Sequence, residues 1–256
     1  MSKARKKPVR VKGKCGIIIS VKKALLTLIT TLFGLLFIPG LAAAQGQYVS
    51  GTTGVDVSWP NCSASIPSVS FGIVGVTGGT VYSNNSCIAI EANHFKNLSF
   101  YANTGWSNTS VHINANSPKV CASDDNNCLA YNYGYNAGLQ AVQYAEFQTL
   151  NVNGMWWLDV ETENTWNPDT TQNRSSLQGE YDALTANGII AIGAYSTTAQ
   201  WNSITGNWIN NWPSWGATTW KTAKQAAKYC TGHEFTGGKS YLMQYQGRNL
   251  DQDYAC

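Results

Sequence analysis

Short apolar segments alternate with longer segments of mixed polarity along most of the chain. The apolar segments predict β-strands at residues 54–58, 71–77, 98–103, 155–161, 189–196, 215–219 and 240–245. The mixed segments predict helices at residues 87–97, 131–149, 169–187, 198–205 and 220–229. Strands that alternate with helices are typical of βα units and a parallel sheet, which indicates an α/β fold.

Two α/β architectures fit this alternation, a closed barrel and an open doubly wound sheet. The open sheet usually carries a G-x-G-x-x-G turn after its first strand, and no such turn follows residues 54–58. The glycines at 75, 78 and 79 match that fingerprint too loosely to predict nucleotide binding. We therefore expect residues 54–256 to form one (β/α) TIM-like barrel that is short and irregular.

Two segments between the strands carry clear local signals. Asp169 and Gln172 are spaced as a capping box, and Asn187-Gly188 is a typical helix stop, so the helix over 169–187 is well bounded. Residues 104–130 are rich in Asn, Ser and Asp and contain two cysteines. That composition predicts a long loop closed by a disulfide.

The N-terminal region differs from the rest of the chain in charge and hydropathy. Nine of the 17 basic residues lie in the first 23 positions, and the first acidic residue is Asp56. An apolar run over 24–41 follows and ends in three alanines. This order predicts a secretory signal peptide over residues 1–44, followed by a flexible segment over 45–53. A retained membrane anchor is the alternative, because the run approaches the roughly 20 residues that span a bilayer.

Loss of the leader reverses the sign of the net charge. The whole chain has a formal charge of +3, whereas residues 45–256 carry eight basic and fourteen acidic side chains, a net charge of −6. Binding to nucleic acid needs a basic surface that neutralises phosphates, so this charge counts against it. We expect a monomer that is secreted or held at the cell surface, with no stable membrane insertion after signal cleavage.

Six of the seven cysteines lie beyond the leader, where export permits disulfides. Six cysteines allow fifteen pairings, and the sequence does not decide among them. Disulfides that close short loops would join neighbouring cysteines along the chain, which favours Cys62 with Cys87, Cys121 with Cys128, and Cys230 with Cys256. The chain has no C-x-x-C motif and its three histidines are scattered, so we expect neither a metal site nor a cofactor.

Acidic residues are scarce, and several lie in or just after the predicted strands. Asp159 and Glu161 end the strand over 155–161, Asp56 lies in the first strand, and Asp251 follows the last. Residues two apart share a strand face, so Asp159 and Glu161 should both point into the barrel near its C-terminal mouth. Crowded carboxylates repel, which raises the pKa of one so that it holds a proton near neutral pH. Acid-assisted cleavage of a glycosidic bond needs such a pair; solvated or helix-capping acids are the alternative.

The chain contains ten tryptophans and thirteen tyrosines, which suits stacking on sugar rings. Four tryptophans each follow a predicted strand and are candidates for glycan binding: Trp59, Trp106, Trp166 and Trp201. Core packing is the alternative for these four and the preferred interpretation for the other six. Hydrolysis by a serine or cysteine nucleophile is disfavoured, since no G-x-S-x-G motif occurs.

Five segments resemble the glycoside hydrolase family 25 superfamily, the lysozymes that cut bacterial peptidoglycan. They are GVDVS at 54–58, FGIVGVTGG at 71–79, MWWLDVE at 155–161, IGAYST at 192–197, and YLMQYQG with LDQD between 241 and 253. Four segments resemble more closely a group of secreted bacterial proteins within that superfamily: VDVSWPNC at 55–62, FGIVGVTGG at 71–79, WLDVET at 157–162 and FTGG at 235–238. The resemblance implies a barrel that acts on a cell-wall glycan or another polysaccharide.

The resemblance also implies roles for individual residues. Glu161 would be the general acid, with Asp159 beside it orienting the substrate's N-acetyl group and with Asp56 and Asp251 completing the catalytic cluster. Asp253 lies one step past the matching motif. Tyr195 and Gln244, which lie within matched segments, are expected to bind substrate.

The second strand departs from the family pattern. The family usually has a Lys-Ala-Thr-Glu-Gly-like run where this chain has Val76-Thr77-Gly78-Gly79, so both charges are missing. The sequence therefore predicts a secreted glycoside hydrolase that acts on peptidoglycan or a related cell-wall glycan. A non-catalytic glycan-binding or wall-attachment module on the same fold is the alternative.

Overall fold

A computed structural model describes residues 48–256 of the chain. The predicted signal peptide over 1–44 and the beginning of the segment over 45–53 lie outside the described residues. From residue 48 onward, no helix is both long and apolar enough to cross a membrane. Tyr48 packs against Phe71 with ring centroids 4.8 Å apart, and its hydroxyl accepts a hydrogen bond from Trp157 Nε1 at 3.0 Å. The part of the 45–53 segment that is described thus packs against the domain.

Eight strands form a closed barrel in chain order, which confirms the predicted α/β barrel. The strands are β1 (Thr53–Val57), β2 (Phe71–Gly75), β3 (Leu98–Asn103), β4 (Trp156–Asp159), β5 (Ile192–Ser196), β6 (Ser214–Ala217), β7 (Ser240–Tyr245) and β8 (Gln252–Ala255). Neighbours from β1 to β7 are parallel, whereas β8 runs antiparallel to both β7 and β1. Strand β8 was not predicted, because it is four residues long and half polar.

Within residues 48–256, five α-helices accompany the barrel: α1 (Ile88–Ala92), α2 (Asn126–Phe147), α3 (Thr170–Ala186), α4 (Thr198–Thr205) and α5 (Ala223–Ala226). Asp169 is the N-cap of α3, as predicted, and its carboxylate accepts a hydrogen bond from Thr171 N at 2.9 Å. Gln172 Nε2 donates to the same carboxylate at 3.0 Å, but Asp169 N donates to Asn167 Oδ1, so the reciprocal half of the capping box is absent. The predicted loop over 104–130 was too long. Asp125 caps α2 by accepting from Cys128 N at 3.0 Å, and this cap starts the helix five residues before the predicted 131.

The core has two layers, one inside the barrel and one between the barrel and its helices. Met155, Trp157 and Leu242 fill the interior, whereas Leu158 and Val160 face the helices. This division follows the alternation of side chains along a strand.

Helices α2 and α3 approach each other closely against the outer layer. A Cβ added at Gly134 or Gly179 would overlap backbone atoms of the partner helix, so only glycine permits this approach.

Three disulfides fix the loops, and all three pairings are the ones favoured from local closure. The Cα atoms are 5.5 Å apart for Cys62–Cys87, 5.6 Å for Cys121–Cys128 and 5.3 Å for Cys230–Cys256. The first ties the loop after β1 to the start of α1, and the second ties the 104–125 loop to the first turn of α2. The third joins the segment after α5 to the residue that follows β8.

Candidate active site

The C-terminal ends of the parallel strands surround a cavity of about 440 Å³. Four acidic side chains line it, namely Asp56, Asp159, Glu161 and Asp251. These are the four acids that the sequence placed in one cluster, and they come from β1, from the end of β4 and from the segment just before β8. The barrel brings them together because the carboxyl ends of parallel strands meet at one end of the barrel.

Asp159 and Glu161 are neighbours at the end of β4. Asp159 is 3% exposed, and its Oδ2 accepts a hydrogen bond from the Asn103 amide. The Asp159 and Glu161 carboxyl groups are themselves within hydrogen-bonding reach. Two carboxyl groups can bond only when one carries a proton, so this contact favours a state in which one of the two is protonated. Among residues 48–256, Asp159 Oδ1 receives no N–H or O–H hydrogen bond, which fits a carboxyl that keeps its own proton.

The electrostatics of this pair also favour a retained proton. Burial, together with the charge of Glu161, raises the pKa of Asp159 well above its usual range. Burial and the nearby Glu163 raise the pKa of Glu161 as well, while the neighbouring Asp159 and Tyr195 side chains oppose that rise. Since Asp159 is buried and Glu161 is half-buried, Glu161 is the member of the pair that can pass a proton to a molecule in the cavity.

Asp56 lies across the cavity in a second hydrogen-bonded group. Its Oδ2 accepts from Gln244 Nε2 at 3.0 Å, and Gln244 Oε1 accepts from the Tyr195 hydroxyl at 2.9 Å. Burial, with the charge of Asp251 added, raises the pKa of Asp56 to about 7. Tyr195 and Gln244 both line the cavity, as expected of substrate-binding residues, and the structure shows that they also position Asp56.

The Asp253 carboxyl belongs to this second group, although the sequence motif left it outside the catalytic cluster. It is fully buried on β8, its Oδ1 accepts from Trp215 Nε1 at 2.8 Å, and it lies within hydrogen-bonding reach of Asp56. Burial and the neighbouring Asp56 charge raise its pKa well above the usual range. The alternation of Gln252, Asp253 and Tyr254 would have indicated an inward Asp253, had residues 252–255 been recognised as a strand.

The altered run after β2 contributes to the site through Thr77. Its hydroxyl donates to Asn103 Oδ1 at 2.7 Å and accepts from Asn103 N at 2.9 Å. Asn103 is thereby held with its amide nitrogen toward Asp159. The run that lacks both family charges thus positions the amide that binds the Asp159 carboxyl.

The four tryptophans predicted to stack on sugars have different surroundings. Trp106 and Trp201 are completely buried, and their indole N–H groups donate to Gln172 Oε1 and to the Trp208 carbonyl, each at 2.9 Å. The prediction is therefore wrong for these two, because tertiary packing covers the loops that carry them. Trp166 is half-buried and donates to the Glu161 carbonyl at 2.7 Å.

Trp59 is 52% exposed, and glycan stacking by Trp59 and Trp166 stays a prediction. Trp215, which the sequence assigned to the core, lines the cavity. In the described part of the chain, no group of His, Cys, Asp or Glu side chains has an arrangement that could hold a metal ion.

No protein-family profile and no curated protein sequence matches the chain. Several solved structures share its fold. The modular autolysin LytC from Streptococcus pneumoniae aligns with a TM-score of 0.52 at 14% identity, over 79% of this chain and 46% of the autolysin. The chain thus spans about half the length of that protein.

Two further solved structures align over a larger share of their own length. GHIP, a glycosyl hydrolase 25 of S. pneumoniae, aligns with a TM-score of 0.52 at 14% identity, over 80% of this chain and 87% of that protein. The spore cortex lytic enzyme SleM from Clostridium perfringens aligns with a TM-score of 0.51 at 12% identity, over 80% of this chain and 67% of SleM. The resemblance to glycoside hydrolase family 25 is thus confirmed at the level of the fold.

Proposed function

We propose that the chain is a secreted family 25 glycoside hydrolase that cleaves peptidoglycan or a related cell-wall glycan. The observation that carries this proposal is that Asp159 and Glu161, at the end of β4, line the same 440 Å³ cavity as Asp56 and Asp251. The fold supports it, because one autolysin structure of the same fold, aligned with a TM-score of 0.52, holds a synthetic peptidoglycan ligand. The predicted signal peptide supports export.

In the proposed reaction, Glu161 donates a proton to the glycosidic oxygen as the bond to the anomeric carbon breaks. The leaving sugar keeps that proton, and positive charge develops on the ring that remains. Asp159 holds the substrate's N-acetyl group so that its carbonyl oxygen attacks the anomeric carbon. Water then attacks this carbon as its bond to the N-acetyl oxygen breaks, and the water passes a proton to Glu161, which restores the starting state.

The other two acidic residues of the mouth, Asp56 and Asp251, can stabilise the positive charge that develops on the sugar ring. Burial raises the pKa of Asp56 to about 7, so its negative charge can form near neutral pH. Asp251 contributes further negative charge at the same mouth. Negative groups that are fixed before the reaction stabilise an oxocarbenium-like transition state without reorganisation.

The direct test is Glu161→Gln, which keeps the shape of the side chain and removes the transferable proton. We expect the release of reducing ends from purified peptidoglycan to fall by about 10²- to 10⁴-fold, the usual contribution of a general acid. Glu146→Gln is the matched control, because it removes the same charge at an exposed position near the C-terminal end of α2, away from the mouth. Circular dichroism would verify that both variants fold.

The same experiment distinguishes the alternative, a glycan-binding module without turnover. That alternative is favoured by the two family charges missing from residues 76–79. It would be supported if the unaltered protein bound peptidoglycan, released no product in long incubations, and bound equally well as Glu161→Gln. Full hydrolysis by Glu161→Gln would instead remove Glu161 from the role of general acid.

A further inference from the structure

A second cavity of about 290 Å³ lies at the C-terminal ends of β5, β6 and β7. Ser196, Gly216 and Met243 line it, and their neighbours in the chain, Tyr195, Trp215 and Gln244, line the acidic cavity. Successive strand residues point to opposite faces, so the same three strands present one set of residues to each cavity. The second cavity therefore lies on the outer side of the barrel wall, beside the acidic mouth.

A row of aromatic rings forms one wall of the second cavity. The ring centroids of Trp220 and Tyr229 are 5.8 Å apart, and those of Tyr229 and His233 are 4.4 Å apart. Trp220 is 37% exposed, and its carbonyl accepts a hydrogen bond from Gln246 N at 2.8 Å. Tyr229 precedes Cys230, which the disulfide to Cys256 holds against the barrel. The aromatic wall is thus fixed in place and still accessible.

Hydroxyl groups line another part of the cavity. The Thr198 and Thr219 side chains both line it, and neither hydroxyl is hydrogen-bonded to another residue within 48–256. No Asp, Glu, Lys or Arg among the described residues lines the cavity, in contrast to the acidic mouth beside it. Aromatic faces suit the C–H faces of a sugar ring, and free hydroxyls suit its hydroxyl groups. An uncharged lining favours an uncharged ligand, because a buried unpaired charge is costly.

We propose that the second cavity is a saccharide-binding subsite that takes one neutral pyranose unit of a glycan chain held across the acidic mouth. The inference rests on the proposed function for the identity of the glycan. It goes beyond that function by adding a binding site outside the barrel interior. A glycan long enough to occupy both cavities would gain the contacts of Trp220, whereas a short one would occupy the acidic mouth alone.

The test compares the affinities of N-acetylglucosamine oligomers of two to six units, measured by isothermal titration calorimetry. Glu161→Gln is the background, so that the oligomers stay intact. Adding Trp220→Ala should weaken binding of the longest oligomers about three- to tenfold, the effect of losing one aromatic contact, and leave the two-unit oligomer within about twofold. His233→Ala, at an exposed position, should weaken the longest oligomers to a smaller extent.

The matched control is Phe147→Ala. Phe147 is 80% exposed at the C-terminal end of α2, which lies on the opposite side of the barrel from the mouth. We expect this variant to bind every oligomer as the background does. An equal loss at all lengths in Trp220→Ala would overturn the proposal, as would an unchanged affinity at all lengths or no binding of the six-unit oligomer to the background protein.

Two outcomes separate this proposal from the proposed function. If the unaltered protein hydrolyses peptidoglycan but Trp220→Ala shows no dependence on length, the hydrolase assignment stands and the subsite is refuted. If it cleaves nothing but Trp220→Ala shows the dependence on length, the subsite stands and the hydrolase assignment is refuted. Tighter binding of a free peptidoglycan stem peptide than of any oligomer, lost in Trp220→Ala, would assign the cavity to peptide and overturn the proposal.

Discussion

The mouth of the barrel and the interface of α2 with α3 both contain buried carboxyl groups. At the mouth, Asp159 and Asp253 each lie within hydrogen-bonding reach of another carboxyl group beside a cavity. In the helix interface, Glu180 packs against Gly138, and its buried Oε2 has no hydrogen-bond partner among residues 48–256. Burial raises the pKa of all three residues.

The difference lies in where the retained proton can go. Asp159 can share its proton with Glu161, which opens onto the cavity, whereas Glu180 lines neither of the two cavities described above. A raised pKa therefore indicates burial in both regions. It indicates catalysis only where an acceptor and space for a substrate lie beside the carboxyl group.

Of the variants that compare the two regions, Asp159→Asn should have the largest effect, and that effect is on the rate of hydrolysis. The amide has the shape of the carboxyl but cannot share a proton with Glu161, so we expect hydrolysis of peptidoglycan to fall about 100-fold. Glu180→Gln, made in parallel, should leave the rate within about twofold, since Glu180 has no contact with the cavity. Equal losses in the two variants would show that the helix interface controls activity as much as the mouth does.

The second prediction concerns stability, and its expected effect is smaller. The pH dependence of the free energy of unfolding should show the contribution of Glu180 in the helix interface. The folded pKa of Glu180 is raised, so the unfolded chain loses this proton first as the pH rises. The free energy of unfolding therefore decreases from about pH 4.5 up to the folded pKa, by up to about 1.4 kcal/mol per pH unit for this one group. Glu180→Gln should flatten that slope in chemical denaturation at pH 5, 6 and 7. If the free energy of unfolding still decreased as steeply with pH in Glu180→Gln, the pH dependence would come from the acidic residues of the mouth instead.

Asp251→Asn should have the smallest effect of the three variants, a change in the pKa of Asp56 at the mouth. The charge of Asp251 helps to raise the pKa of Asp56 to about 7. Its removal should lower that pKa by less than about one unit, because burial is the larger cause and stays in place. Carboxyl-carbon NMR titration would measure the shift. Asp124→Asn, at an exposed residue of the loop before α2, should leave the Asp56 titration unchanged.

Residues whose role depends on local pattern were predictable from the sequence. Asp159 is the last residue of β4 and Glu161 follows it by two positions, so both side chains reach the mouth at the end of that strand. Asp169 caps α3 through contacts within a few residues of the chain. The disulfide pairs also followed from closeness in sequence, with separations of 25, 7 and 26 residues.

Residues whose role depends on distant partners were not predictable in this way. Trp106 follows a strand, as a cleft residue would, but Gln172, which binds its indole, lies 66 positions further along the chain. Asp253 acquires its role from Trp215 and Asp56, which lie on β6 and β1. Nothing near these residues in the sequence specifies such contacts, because the closure of the barrel creates them.

Strand β8 closes the barrel by pairing with β1, with Gly54 opposite Asp253. During synthesis the strands emerge in order, so β1 keeps an unpaired edge until about 200 more residues have been made. Pairing across so long a stretch of chain is slow, and an open edge can pair with other chains in the meantime. The barrel can therefore close only after almost the whole domain has been synthesised, and the free edge of β1 is the part of the sheet that stays open longest.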